Sequence, residues 1–318
     1  MDDSASKKNK FSILLMVFAL SAASCGERQP MLGVTHVIYG DDNQHDLASY
    51  PKDSALHGTA ESVAIVITSN LIESYDENKS FISSVRTFGQ SRKASGQPLC
   101  MSERFQEQTD LMGTCSAFLI GPDIVASAGH CFPSDIACKS MSFIFGVGYD
   151  LDTTDVRIVP RDHVFHCKQI IANGMNNTTD PSDYALIQLD RKAVGLHPLN
   201  IRHSGTLKRD TPLTLIGYPN SLPLKISENG HQLPTQSPSW FSASLDSFNG
   251  SSGSPVLNTK TLTVEGILIG GADDFIQTGS CWSTHRCRDD GSDCEGETVT
   301  RINEVSIIFE SKMASGTN

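Results

Sequence analysis

Residues 115–131 read CSAFLIGPDIVASAGHC. Two apolar runs of strand length, Ala117 to Ile120 and Ile124 to Ser127, flank a Gly-Pro-Asp break, and a histidine and a cysteine follow directly. Outward from this stretch the pattern repeats: Val63 to Thr68, Ser142 to Val147, Val156 to Val159, Ala185 to Leu189, Leu213 to Ile216, Pro255 to Leu257 and Val264 to Ile269. These runs are short, rich in Val, Ile and Phe, and bounded by turn signals, so they predict an all-β chain. The polar, proline-bearing stretch from Ala193 to Pro212 divides them into two groups, which fits two barrels joined by a connector. One helix is expected at the end, where Ile302, Val305, Ile308, Phe309 and Met313 fall at helical spacing after a cap at Thr300. No internal repeat or low-complexity tract is present.

The chain has 318 residues, 38% apolar and 19% charged, with 25 Gly and 14 Pro, which excludes a disordered acidic tail and a coiled coil. Its length allows about two domains. Acids outnumber bases by 36 to 25 and no Lys/Arg stripe occurs, which argues against a nucleic acid partner. Nine cysteines point to an oxidising compartment. Residues 1–24 carry three lysines, the apolar run Phe11 to Leu20, and small residues before Cys25, the layout of an export signal. No later run approaches 18 apolar residues, so the only membrane contact expected is a lipid on Cys25. The small residues before Cys25 resemble a bacterial lipobox, with Ala22 where such boxes carry Leu. Setting Cys25 aside leaves eight cysteines, an even number. The alternative is ordinary signal cleavage and a secreted protein with one spare thiol. The resulting partition is signal 1–24, tether and surface-wrapping arm 25–60, first barrel 61–195, and second barrel with C-terminal helix 196–318.

Three segments carry chemistry: 115–131 as quoted, SDYALIQL at 182–189, and DSFNGSSGSPV at 246–256. A serine hydroxyl is a poor nucleophile until an imidazole takes its proton, and that imidazole needs a carboxylate to fix its tautomer and stabilise its charge. His130, Asp183 and Ser252 supply these three groups. Each has a plainer reading: a structural histidine, a turn-capping aspartate, a Gly/Ser turn. GSSGS also approaches the nucleophile elbow of another fold, but that fold needs alternating strands and helices.

In this order and with these motifs, residues 35–310 resemble the chymotrypsin-like serine peptidases, especially the exported bacterial branch that includes glutamyl endopeptidases. The resemblance implies two six-stranded Greek-key barrels followed by a C-terminal helix, and an endopeptidase acting on protein or peptide substrates without cofactor or metal. It implies His130 as general base, Asp183 as its orienter, Ser252 as nucleophile, and the amides of Gly250 and Ser252 as oxyanion donors. A disulfide between Cys115 and Cys131 would tie the histidine loop. Cys100, Cys138, Cys167, Cys281, Cys287 and Cys294 can pair fifteen ways. A zinc site of Cys281, His285, Cys287 and Cys294 is the alternative, with disulfides favoured by the export signal.

The residue before the nucleophile is Ser251, where animal members carry an acid that pairs with a new N-terminus, so zymogen activation of that kind is not expected. VIYGDDNQHDLASYPKD (37–53) and IGYP (216–219) instead look like glutamyl endopeptidase segments. Leu268 stands where those enzymes are expected to carry a pocket histidine, and no cation to receive a substrate acid is evident. Asp246, six residues before Ser252, occupies the place of the trypsin-like pocket carboxylate, which implies cleavage after Lys or Arg. Its alternative role is to hold a turn. Two function classes follow: an active exported endopeptidase, or an inactive envelope-tethered binding module on the same fold.

Overall fold

Strands buried on both faces build this molecule, which explains why its apolar runs are continuous rather than alternating. The computed structural model describes residues 37–150, 152–175, 182–235 and 237–314. The export signal and Cys25 lie outside the described residues.

The first barrel consists of β1 (Val63–Thr68), β2 (Cys115–Gly121), β3 (Ile124–Ser127), β4 (Met141–Phe145), β5 (Val164–Asn173) and β6 (Ala185–Leu189). They close in the order β5-β6-β3-β2-β1-β4, with every neighbouring pair antiparallel. Side chains alternate along each strand. Ala64 and Val66 of β1 join Ala117, Leu119, Phe143, Phe145 and Phe165 in the barrel interior. Val63, Ile65 and Ile67 point the other way, into a cluster shared with Ile216, Leu257 and Ile267. Those last three belong to the second barrel.

That barrel consists of β7 (Leu213–Gly217), β8 (Lys225–Gln232), β9 (Trp240–Ser244), β10 (Pro255–Asn258), β11 (Val264–Gly270) and β12 (Glu297–Arg301). Its order is β7-β10-β11-β12-β9-β8, closed by pairing of β8 with β7. Leu213, Leu215, Phe241, Val256, Leu268 and Val299 fill it. Tyr218 clasps the two barrels: its buried hydroxyl accepts from Val147 N at 3.0 Å and donates to Val63 O at 3.3 Å.

The C-terminal helix spans Ile302–Ala314 and buries Ile302 and Val305. Thr300 is not its cap. It lies in β12, and its hydroxyl accepts from Asp183 N and donates to Asp183 O. Residues 37–46 are more than a surface-wrapping arm. Val37, Ile38 and Tyr39 are buried, Ile38–Tyr39 pairs parallel with Arg286–Cys287, and Gln44–Asp46 adds a strand to β8. Between β1 and β2 the chain inserts two strands, Ile72–Ser74 and Lys79–Ile82, and a short helix, Phe88–Ala94, begun by a capping box of Thr87 and Gln90.

Four disulfides join Cys115 to Cys131, Cys100 to Cys281, Cys138 to Cys167, and Cys287 to Cys294. The cysteines of the zinc reading are therefore consumed in bridges. Cys100–Cys281 fastens the insertion to the Phe275–Thr284 hairpin across 181 residues of chain.

Candidate active site

β3 ends at Ser127 and the chain turns tightly through Gly129–Cys131, which lifts His130 out of the barrel wall. The Cys115–Cys131 bridge returns this turn to the start of β2. Closing a loop of that length stabilises by about 3 kcal/mol in the chain-entropy account. Asn173 braces it further, its amide donating to Gly129 O and Phe132 O at 3.0 Å each.

Asp183 precedes β6, its side chain only 1% exposed. Its Oδ2 lies 2.6 Å from His130 Nδ1, and its Oδ1 accepts from His130 N at 3.0 Å. With the Thr300 hydroxyl fixing both ends of its backbone, this carboxylate can hold the imidazole in one orientation. Such an imidazole carries its proton on Nδ1 and leaves Nε2 free to take another.

Ser252 arrives from the second barrel. Its carbonyl accepts from Ser116 N at 2.8 Å, so the turn is pinned to the residue beside Cys115. Gly253 has φ +90°, and a Cβ there would stand 2.0 Å from Ser116 O and 3.1 Å from Ala128 N, two residues before His130. Only glycine permits that approach. Gly250 has φ +92°, and a Cβ there would meet Tyr218 O at 2.8 Å. Ser116 Oγ donates to Gly250 O at 3.0 Å and accepts from Tyr218 N at 3.1 Å. His130 Nε2 and Ser252 Oγ are both buried without a hydrogen-bond partner.

Asp246 does something other than the sequence implied. It is 2% exposed, and its two oxygens accept from Tyr39 N at 2.7 Å and Asn43 N at 2.9 Å. Burial pushes its pKa up to about 7, against the lowering effect of those two amides; Asp42 and Glu297 add to the rise. Both hydrogen bonds run to the arm, so what Asp246 does here is hold the arm; it is neither the local turn nor the Lys/Arg pocket of the sequence reading. Glu297 in β12, which sequence reasoning missed, is the companion acid: fully buried, it accepts from Val37 N at 3.0 Å and Ser247 Oγ at 2.9 Å.

Two six-stranded antiparallel barrels with this connectivity define the chymotrypsin-like fold. Residues 115–267, a little under half of the chain, match the family model described as trypsin-like peptidase domain. A solved Glu endopeptidase in complex with MPD is similar at 15% identity and a TM-score of 0.51, over 88% of this chain and 100% of that one. The VesB protease of Vibrio cholerae is similar at 15% identity and a TM-score of 0.49, over 89% of this chain and 68% of that one. No curated protein matches this chain.

Proposed function

We propose that the protein is an exported serine endopeptidase using His130, Asp183 and Ser252. The observation that carries this reading is the 2.6 Å contact of His130 Nδ1 with a buried carboxylate, beside a turn anchored through Ser116. In the proposed reaction His130 Nε2 takes the Ser252 hydroxyl proton as Oγ attacks the peptide carbonyl carbon. The carbonyl π electrons move to oxygen, and the oxyanion is held by the amides of Gly250 and Ser252. Collapse breaks the C–N bond while His130 gives its proton to the departing amine. Water then repeats the sequence on the acyl-enzyme, with His130 again base and then acid, which releases the acid product and restores Ser252.

Cleavage after Lys or Arg is not carried into this proposal, because Asp246 is already engaged by the arm. The four bridges and the N-terminal sequence support export. A lipid on Cys25 would tether the protein to a membrane; palmitate incorporation that persists in Cys25→Ser would refute it.

The direct test is hydrolysis of casein by the purified protein and by Ser252→Ala. Wild-type turnover that falls at least about 1,000-fold in the variant is expected. No turnover by either, or equal turnover by both, would reject the proposal; the first result would favour a binding module.

A further inference from the structure

Phe248–Ser251, which leads into Ser252, is a β-turn: Ser251 N donates to Phe248 O at 3.0 Å, and Gly250 stands third with φ +92° while Asn249 keeps a negative φ. Those signs define a type II turn. A type I turn has the same ends and the same hydrogen bond, and differs by a half-rotation of the central peptide, here Asn249–Gly250. Glycine takes either sign of φ readily, so this turn tolerates both orientations.

The orientation matters because this peptide carries the Gly250 N–H, one of the two oxyanion donors of the proposed reaction. A trans peptide points its C=O and its N–H in opposite directions. Asn249 O accepts from Asn220 N, so Gly250 N–H is turned away from Asn220, and no group among the described residues accepts from it. The half-rotation would aim Gly250 N–H at the Asn220 amide and put Asn249 O where the oxyanion has to sit.

Asn220 is held for this at a conformational cost. Asn220 (φ +50°) and Ser221 (φ +60°) are consecutive non-glycine residues in the left-handed region, a state that persists only where the surroundings impose it. The end of the insertion does so: Leu111 N donates to Ser221 O at 2.8 Å, and Ser221 Oγ donates to Gly113 O at 2.5 Å. Between them Met112 is itself left-handed at φ +58°, its N–H donating to Asp110 Oδ1 at 2.8 Å. A Cβ on Gly250 would stand 3.3 Å from Ser221 N and 3.4 Å from Asn220 N, so the two turns lie flush against each other.

We propose that Asn220 is a positioning residue: its backbone N–H, presented by Ser221 and the insertion tail Leu111–Gly113, keeps the Asn249–Gly250 peptide in the type II orientation that aims Gly250 N–H at the oxyanion. Its place in the reaction rests on the peptidase reading; its hold on the peptide does not.

Asn220→Pro has no N–H in any conformation, and Asn220→Gly keeps the N–H and adopts the left-handed φ freely. Crystal structures should show Gly250 φ reversed to about −90° in the first variant and unchanged in the second. On casein, kcat should fall about 100-fold to 1,000-fold in Asn220→Pro with KM within about twofold, and Asn220→Gly should restore it to within about threefold of wild type. Labelling of Ser252 by a fluorophosphonate, whose phosphoryl oxygen takes the oxyanion's place, should slow in parallel. Should Asn220→Pro not fold, Ser221→Ala decides: without the bond to Gly113, the peptide should occupy both orientations and kcat should drop about tenfold. An unrotated peptide in the deciding variant, a rotated one with wild-type kcat, or a loss confined to KM overturns the proposal. Casein left uncut by wild type overturns the peptidase reading instead, and the crystal structures alone then decide whether Asn220 sets the peptide.

Discussion

Ser116 joins the two halves of the site through both its backbone and its side chain. Its N–H holds Ser252 O, its hydroxyl holds Gly250 O and Tyr218 N, and its carbonyl accepts from Ser127 Oγ at 2.7 Å. Ser116→Ala leaves a buried carbonyl and a buried amide unpaired and frees the Gly250 peptide to rotate. We expect kcat on casein to fall about 10-fold to 100-fold with KM nearly unchanged, because the loss is felt where negative charge develops. An unchanged kcat, or a loss confined to KM, would show that the Gly250 turn is set elsewhere. His130, Asp183 and Ser252 stood out in the sequence because each sits in a motif of unusual composition. Ser116 did not, since a serine inside an apolar run reads as an ordinary strand position, and its partner Gly250 lies 134 residues on.

Among the elements, the arm depends most visibly on charge. Asp246 and Glu297 together accept from the backbone of Val37, Tyr39 and Asn43, binding the arm against the segment that leads to Ser252. Asp246 has a folded-state pKa of about 7, above the ordinary value of 3.8, so the folded protein holds this proton more tightly than the unfolded chain. The sign follows: its contribution to stability is fully present below pH 4 and is lost as pH rises through 7. Unfolding by urea at pH 4, 5.5 and 7 should show wild type losing roughly 2–4 kcal/mol relative to Asp246→Asn across that window. A difference that stays flat or grows with pH would contradict the assignment. The barrel strands were legible from their apolar runs, whereas the arm's burial was not, because its polar sequence is satisfied by acids more than 200 positions away. The insertion escaped for a related reason: its helix has seven residues, and the partner of Cys100 is Cys281, 181 positions further on.

Across the whole molecule, the two barrels share one apolar cluster, and the chain crosses back repeatedly to lock them. Tyr218 reaches into the first barrel, Thr300 of β12 fixes Asp183, and a Cβ added at Gly121, the last residue of β2, would stand 3.3 Å from Phe309 of the C-terminal helix. His130 thus comes to this interface from the first barrel and Ser252 from the second. The central claim is that the Ser252 hydroxyl is activated by His130 in the intact protein. Reaction with a fluorophosphonate probe, followed by peptide mass spectrometry, tests it most directly. The account predicts one adduct, on Ser252, formed at least about 1,000-fold more slowly in His130→Ala. An adduct elsewhere, none at all, or labelling of Ser252 at the same rate without His130 would contradict it.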